Sequence, residues 1–387
     1  MIFHPVHMGL LNKRALIRQL QKVEVASRAE LARALGMSQP TAGKIVDELL
    51  GERILEEVIV TPDGNGSVQL GRPGRQLQLN RSQPSFLGIQ LGIQETQLVE
   101  LSLGATEENV EPVTFATSLT GKNPAAAWEK DLRAAAKTLS AKKFLCVLLS
   151  VPGVVDESAK KILFSPNIHW SEGLDLVAIV QRIWNVPVLL VQEERALALG
   201  HHANHPEDED FLLVDFGDGV GGAVIVGGKP LASPLPISGE LGHTPVLANL
   251  RKCGCGAVGC VETLVSTRGL LQSFSEAHPQ KTNDWDTLVN QIAAKGVESW
   301  LAPSLDAAAV AIAGALNVLG LRRVIITGAL TELSPAVLKH LSDAVKKGAM
   351  WARFGEVDCV GAPRQRTIGL VAVGIDRLIA PEASHAK

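Results

Sequence analysis

One histidine and three cysteines lie close together in the second half of the chain. His243 ends a Gly-Glu-Leu-Gly-His run, and Cys253, Cys255 and Cys260 follow it, all three within eight residues and separated by glycines that permit tight turns. Three thiolates and one imidazole fill the tetrahedral shell of zinc and leave no open position for water. The cluster therefore predicts a structural zinc site rather than a catalytic one.

Two carboxylates are interleaved with this cluster. Glu240 and Glu262 are not needed as zinc ligands, so they are free to bind something else beside the metal. Other interpretations of the cysteines are a disulfide, a redox site or a chance grouping. A disulfide between Cys253 and Cys255 would have difficult geometry because one residue separates them.

Composition restricts the class of protein. The chain has 387 residues, of which 46% are hydrophobic and 20% charged, enough for two or three domains with sizeable cores. We find no disulfide framework, no signal-peptide pattern and no apolar run of bilayer length. We therefore expect a cytoplasmic protein without a membrane partner. Residues 1–81 carry a net charge of +3 and the remainder −6, which favours an anionic partner for the head.

Residues 1–81 have the pattern of a winged helix-turn-helix. Apolar spacing predicts a first helix over Met8–Gln21. Ser27 and Glu30 form a capping box at the start of a second helix, Arg28–Leu35, and Ser38 caps a third helix that continues to about residue 50. The predicted strands that follow are Ile54–Val60, Val68–Leu70 and Gln76–Leu79. The Gly-Arg-Pro-Gly-Arg segment at 71–75 supplies a basic wing and linker suited to a narrow minor groove.

The predicted partner of this head is a double-stranded DNA operator. A recognition helix meets base edges with its N-terminal half, and here that half carries groups that pair with bases or phosphates. The candidate DNA-binding residues are Arg28, Ser38, Gln39, Thr41, Lys44, Arg72 and Arg75. A winged helix that docks onto another protein is the alternative.

The rest of the chain alternates short apolar runs with helical patterns, as α/β proteins do. The predicted strands are Phe86–Leu91, Leu98–Leu103, Phe144–Ser150, Val186–Val191, Phe211–Asp215, Ala223–Val226 and Val324–Thr327. The predicted helices are Ala125–Ser140, Leu174–Trp184, Ala196–Asn204 and Ser304–Leu319. Two similar strand-turn-strand openings, at 88–92 and 215–222, fit two similar α/β lobes.

These motifs resemble the ROK family of repressors, open reading frames and sugar kinases over nearly the whole chain. The runs at 239–243 and 253–262 resemble its sugar and zinc motif, those at 151–156 and 164–167 resemble its sugar lobe, and the head resembles its repressor branch. The resemblance implies an actin-like (ribonuclease H-like) ATPase fold with two α/β lobes around a cleft. We expect the head at 1–81, the first lobe at 82–190 plus 366–387, and the second lobe with the zinc motif at 191–365.

The chain departs from the kinases of that family at three elements. The first phosphate turn, normally Asp-x-Gly-Gly-Thr, is Gln-Leu-Gly-Ile-Gln at 90–94. The second keeps its glycines but places Asp218 where it would repel a phosphate. The catalytic Asn-Asp-x-Asn becomes Gln-Glu-Glu-Arg at 192–195, so the general base would be Glu193, one methylene too long. We predict no catalytic residues and no kinase activity; the alternative is an active or bifunctional ROK sugar kinase.

The sugar side of the motif is retained. The candidate effector-binding residues are Asn167, Gln192, Glu193, Glu240, His243 and Glu262, since carboxylates and amides bind sugar hydroxyls selectively. Arg195 and Gln192 would suit an acidic or phosphorylated sugar. We predict a dimeric, or dimer-of-dimers, repressor of carbohydrate genes with a sugar effector. The alternatives are a cleft that has lost its ligand and release by a protein partner.

Overall fold

The computed structural model describes residues 5–58, 75–81, 85–117, 122–140 and 143–379. The helices are α1 Pro5–Val23, α2 Arg28–Ala34, α3 Gln39–Gly51, α4 Pro124–Ala136, α5 Leu176–Trp184, α6 Glu193–Asn204, α7 Glu262–Val265, α8 Thr267–Ala277, α9 Trp285–Lys295, α10 Ala302–Leu319, α11 Ala329–Glu332, α12 Pro335–Gly348 and α13 Arg366–Gly374. The strands are β1 Val25–Ser27, β2 Leu55–Val58, β3 Gln76–Leu79, β4 Phe86–Leu91, β5 Glu95–Leu101, β6 Val113–Ala116, β7 Cys146–Val151, β8 Val154–Asp156, β9 Lys161–Phe164, β10 Val188–Gln192, β11 Phe211–Phe216, β12 Val220–Val226, β13 Lys229–Pro230, β14 Arg323–Gly328 and β15 Asp358–Gly361.

The head consists of α1 to α3 and a small antiparallel sheet in the order β1-β3-β2. The predicted caps form: Ser27 and Glu30 make a complete capping box on α2, and the Ser38 side chain accepts from the Thr41 amide at the start of α3. The strand β1 was not predicted from the sequence, because it is only three residues long. The predicted wing, with the strand Val68–Leu70 and Arg72, lies outside the described residues.

The hydrophobic core of the head is continuous with that of the body. Leu16 and Leu20 of α1 are fully buried, and they belong to a cluster that includes Leu49 of α3, Phe86 of β4 and Ile375 after α13. Because burial of large apolar side chains is the main favourable term in folding, this shared core holds the head on the body.

The body has two lobes with the same strand pattern. The first sheet has the order β10-β7-β4-β5-β6 and the second β15-β14-β11-β12-β13. In each, an antiparallel three-strand meander leads into parallel strands beside its first member. The prediction of two similar α/β lobes is therefore confirmed. The expected lobe boundary at residue 190 falls inside β10, which pairs with β7 as far as Gln192.

The longest apolar helix of the body is α10. Its 18 residues are long and apolar enough to cross a membrane by length and composition alone. Leu305, Ala308 and Ile312 on this helix are fully buried in the core of the second lobe. One face of α10 therefore packs into the core, while Val310 and Val318 on the opposite face are exposed.

The lobes are joined where α6 and α13 cross. A β carbon at Gly200 of α6 would lie 1.8 Å from the backbone oxygen of Gln365, and one at Gly369 of α13 would lie 1.8 Å from the backbone oxygen of Ala196. Only glycine permits this approach on both helices. The crossing fixes the N-terminus of α6 and the segment before α13 side by side.

Substitution of Gly200 by alanine should destabilise the protein strongly. The added methyl group overlaps the Gln365 carbonyl, and overpacking of this kind costs about 3 kcal/mol. Gly314→Ala on α10 is the matched control, because no atom lies within 4 Å of its β carbon position and alanine is the better helix former by about 1 kcal/mol. Denaturant unfolding should show opposite shifts; equal stability of the two variants would contradict the crossing geometry.

Candidate functional site

The cysteine and histidine cluster is held by a loop with tight backbone turns. The Cys253 amide donates to the Ala257 carbonyl over 2.9 Å, and the Gly256 amide donates to the Cys253 carbonyl over 3.0 Å. Gly256 and Gly259 have φ values of +90° and +91°, which residues with a β carbon rarely adopt. The glycines between the cysteines therefore shape the loop so that the thiols converge.

The four side chains fit a tetrahedral metal. Their ligand atoms, one imidazole nitrogen and three sulfurs, all lie within 4.8 Å of one another. Cys255 Sγ lies 3.6 Å from Cys260 Sγ, and Cys253 Sγ lies 3.5 Å from His243 Nδ1. Zinc–ligand bonds of normal length require edges of roughly 3.5 to 3.8 Å. Two of the edges therefore already have the required length, and the residues His243, Cys253, Cys255 and Cys260 are grouped closely enough to hold a metal ion.

The surroundings of the cluster affect its thiols and its imidazole. Burial raises the pKa of the Cys253 and Cys260 thiols, so a metal that binds them as thiolates would displace their protons. His243 Nε2, the nitrogen that faces away from the sulfurs, lies 3.5 Å from Glu240 Oε2. A carboxylate in this position orients the ligating ring, which links Glu240 to the metal loop.

Glu262 connects the metal loop to the glycine-rich turn after β11. Its side chain is buried, and its Oε2 accepts a hydrogen bond from the Val220 amide over 3.0 Å. The Thr267 amide donates to the Gly217 carbonyl over 2.8 Å in the same region. The metal loop therefore supports the turn at 217–222. The Glu262 carboxylate, which the sequence analysis expected to be available for a ligand, uses one oxygen in this support.

A cleft of about 730 Å³ separates the two lobes. The six predicted effector-binding residues all line it: Asn167, Gln192, Glu193, Glu240, His243 and Glu262. Other charged or amide side chains that were not predicted as effector ligands also line it, namely Gln90, Gln94, Glu95, Gln97, Glu194, Asp215, Asp218, Arg364 and Arg366. The cleft is therefore strongly polar and rich in carboxylates.

The segments at 90–94, 192–195 and 217–222 contact each other in the cleft. Gln90 Nε2 donates to Glu193 Oε1 over 2.9 Å, and Arg366 forms an ion pair with the same carboxylate. Gln94 Nε2 donates to Asp218 Oδ1 over 3.2 Å, which joins the turns at 90–94 and 217–222 across the cleft. The Glu193 carboxylate is therefore already held by two side chains of the protein.

A second arginine occupies the carboxyl ends of β11 and β14. Arg364 donates from Nε to Asp215 Oδ1 over 2.7 Å and from Nη2 to Asp215 Oδ2 over 2.8 Å, while Thr327 also donates to Asp215. Burial lowers the pKa of Arg364, but the hydrogen bond and charge of Asp215 raise it above its usual value. The sequence did not predict this pair because its partners are 149 residues apart.

Arg195 does not take part in the cleft wall. Its guanidinium donates to Glu157 over 2.7 Å, and the same carboxylate pairs with Arg377 and accepts from the Gln192 amide over 2.9 Å. Burial raises the pKa of Glu157, but Arg377 and Arg195 together hold it below its usual range. The guanidinium of Arg195 is therefore not free to bind an acidic or phosphorylated sugar, as the sequence had suggested.

The candidate DNA-binding residues differ in availability. Gln39, Thr41 and Lys44 are exposed on α3, opposite its buried face. The Ser38 hydroxyl is used as the helix cap. Arg28 pairs with Asp47 over 2.7 Å, Arg75 pairs with Glu57, and Arg72 lies outside the described residues. The Thr41 hydroxyl shares a hydrogen bond with the Ser38 hydroxyl over 2.8 Å, so Gln39 and Lys44 are the exposed candidates on α3 for which no side-chain bond is seen in the described part of the head.

Sequence comparison gives one family match and several repressor relatives. A sequence model of the ROK family matches residues 88–365. A xylose repressor of Caldicellulosiruptor bescii is 24% identical over 374 residues and spans 89% of each chain. A xylose repressor of Bacillus subtilis is 26% identical over 68% of each chain. An N-acetylmannosamine kinase of Salmonella arizonae is 33% identical, over 32% of this chain and 43% of its own.

Solved structures show the same fold. A ROK family transcriptional regulator, described as a homologue of the E. coli Mlc protein, superposes with a TM-score of 0.74 at 19% identity and covers 95% of this chain and 97% of its own. A ROK glucokinase from Streptomyces griseus, solved with glucose and AMPPNP, gives a TM-score of 0.58 at 21% identity and covers 74% of this chain and 97% of its own. The actin-like α/β architecture expected from the sequence is therefore confirmed.

Loss of one cysteine of the cluster should remove the metal. We expect the purified protein to contain about one zinc per chain and Cys253→Ser to contain almost none, with a Tm lower by roughly 5 °C or more. Cys359→Ser is the control, because that thiol lies outside the cluster. Elemental analysis and thermal unfolding check this; a Cys253→Ser protein with full zinc content would contradict the ligand set.

Proposed function

The chain belongs to the ROK family, and we propose that it is a DNA-binding transcriptional repressor of carbohydrate genes that responds to a sugar. The observation that carries the proposal is the combination, in one chain, of a polar cleft with a head built from α1 to α3 and a three-stranded sheet. Relatives named xylose repressors support it. The name xylose refers to those relatives, and the ligand of this chain depends on the residues of its own cleft.

The head is proposed to be a winged helix-turn-helix with α3 as its recognition helix. Gln39, Thr41 and Lys44 would then enter the major groove, where amide, methyl and ammonium groups read base edges or phosphates. Arg72 and Arg75 of the wing would contact the neighbouring minor groove. Arg28 would reach a phosphate after exchanging its Asp47 partner for DNA, since both are partly solvated.

A repressor of this kind acts as a homodimer or a dimer of dimers in the cytoplasm, where its operator is. Two heads would bind half-sites of a pseudo-palindrome about 34–36 Å apart. A metal in the cysteine loop, which we propose is structural zinc, would hold Glu240 and the turn at 217–222 in place. Its chemistry is to fix a loop, because all four ligand positions of the metal are filled by protein.

The alternative within the family is a sugar kinase, with or without DNA binding. Two ion pairs, Glu193 with Arg366 and Asp215 with Arg364, occupy the carboxylates that a kinase would use for its base and its nucleotide side. We therefore propose that the chain is not an enzyme. Sugar-dependent ATP hydrolysis by the purified protein would favour the kinase instead.

A continuous set of contacts connects the cleft with the head. Gln192, in the cleft wall, donates its backbone amide to Glu157, which pairs with Arg377 in the π-helical segment Ile375–Ile379 after α13. The neighbouring residue, Asp376, pairs with Arg14 and Arg18 of α1. We propose that sugar binding moves this segment and thereby α1.

The last contact in this set joins α1 to the proposed recognition helix. Lys13 of α1 donates to Glu48 and Glu52 of α3, each over 2.9 Å. A shift of α1 would therefore reorient α3. A coupling free energy of about 1–3 kcal/mol between sugar and DNA would change operator affinity by roughly 5- to 150-fold.

Lys44→Ala should weaken operator binding roughly tenfold or more, because one base or phosphate contact contributes about 1–3 kcal/mol. A duplex selected from a random-sequence pool serves as the probe in fluorescence anisotropy. Lys347→Ala removes the same charge from an exposed site of the second lobe and should bind like wild type. Equal affinity of the Lys44 and Lys347 variants would refute α3 as the recognition helix.

Asp376→Asn should uncouple the sugar from the DNA. The change removes the charge that pairs with Arg14 and Arg18 and leaves the cleft side chains in place. We expect sugar binding to persist while the sugar-induced loss of operator affinity shrinks at least roughly fivefold. Asp343→Asn, which breaks the exposed pair with Lys339 on α12, should respond like wild type. A full response in Asp376→Asn would exclude this route.

A further inference from the structure

The charges of the cleft are unequal. Two arginines line it, and each is already paired with one carboxylate: Arg364 with Asp215 and Arg366 with Glu193. Five further carboxylates line the same space, those of Glu95, Glu194, Asp218, Glu240 and Glu262. Glu95 lies at the exposed rim and accepts a hydrogen bond from Gln97. Asp218 accepts from Gln94, Glu240 faces His243, and Glu262 accepts from the Val220 amide. Glu194 differs from all of them.

Glu194 lies in the first turn of α6 and packs its carboxyl group against the turn at 217–222. A β carbon at Gly221 would lie 2.5 Å from Glu194 Oε1, so the glycine makes room for the carboxyl. Within the part of the chain that the structure describes, this carboxyl has no ion pair and no side-chain hydrogen bond. Its contact is with its own backbone amide. The group is therefore built into the cleft wall without a protein partner.

An unpaired carboxyl in this position is costly to ionise. Burial, reinforced by the charges of Glu193, Glu240 and Asp215, raises the pKa of Glu194 well above its usual range. Glu194 is half-buried, and a partly desolvated charge among like charges is stabilised by a partner of opposite sign, which the described residues do not supply. A ligand that carries one positive charge would provide it, whereas a phosphate or carboxylate would add repulsion at short range.

We propose that the effector is an amino sugar, a polyhydroxylated ligand with a protonated amine, and that Glu194 binds this amine. The inference rests on the proposed function, because it names the ligand class of the same cleft. Glu240, Asn167 and Gln192 would bind the hydroxyl groups, as their place in the cleft wall suggests. Glu194 would form an ion pair with the ammonium group of the ligand. The sequence analysis did not include Glu194 among the candidate effector-binding residues.

Isothermal titration with matched ligands tests the proposal. The panel contains glucosamine, mannosamine and galactosamine, the three parent hexoses and their 6-phosphates. We expect one amino sugar to bind at least roughly tenfold more tightly than its parent hexose, as a charge-assisted contact predicts, and the 6-phosphates to bind most weakly. A parent hexose or a 6-phosphate that binds more tightly than every amino sugar would overturn the proposal and leave the sugar-responsive repressor intact.

Glu194→Gln provides the residue-specific test, since it keeps the shape and removes the charge. The variant should lose the preference for the amine and keep the affinity for the parent hexose. Glu95→Gln at the exposed rim of the cleft removes one charge without touching that position and should retain the preference. An unchanged preference in Glu194→Gln would overturn the assignment of Glu194.

Proton release gives a second measurement that needs no variant. Burial and the neighbouring carboxylates raise the pKa of Glu194 in the free protein, and a bound ammonium group would lower it, so binding should release protons to the buffer at a pH where the free carboxyl is partly protonated. Titrations in buffers with different ionisation enthalpies measure this release, and no release would contradict the contact. If no member of the panel binds at all, both the amino-sugar proposal and the proposed sugar effector fail; binding by hexoses alone overturns only the former.

Discussion

The crossing of α6 and α13 is the contact on which the rest of the structure depends. Gly200 and Gly369 bring the two backbones together to a distance that no other residue allows. The first turn of α6 carries Glu193 and Glu194 into the cleft, and the N-terminal end of α13 with the residues before it carries Arg366 and Arg364 to the cleft carboxylates. The π-helical segment after α13 then presents Asp376 to the head. One crossing thus positions the cleft side chains, the contact between the lobes and the attachment of the head.

The charges in the cleft are paired within the chain, which bears directly on the proposed function. Arg364 and Arg366 form ion pairs with Asp215 and Glu193, so these side chains occupy one part of the cleft. Asn167, Glu240 and His243 line another part of it. The cysteine loop supports the turn at 217–222 through the bond from the Val220 amide to Glu262. In the proposed repressor, the first part would be closed to a nucleotide and the second would bind the sugar.

Features determined by neighbouring residues could be predicted from the sequence, and features determined by distant contacts could not. The Ser27 and Ser38 caps and the cysteine loop depend on residues a few positions apart, and their geometry follows local rules. The pairing of Arg364 with Asp215 joins residues far apart in the chain, and so does the diversion of Arg195 to Glu157. Short strands such as β8 and β13 exist only because a partner strand is present, since isolated hairpins are marginal in water.

The central claim is that sugar in the cleft and DNA on the head share one conformational equilibrium. Linkage requires that the factor by which sugar weakens operator binding equal the factor by which operator weakens sugar binding. Both affinities can be measured with the same protein at one salt concentration, which matters because DNA affinity falls steeply with salt. The account predicts two equal factors, each between roughly 5 and 150. Tight sugar binding that leaves both affinities unchanged would contradict it.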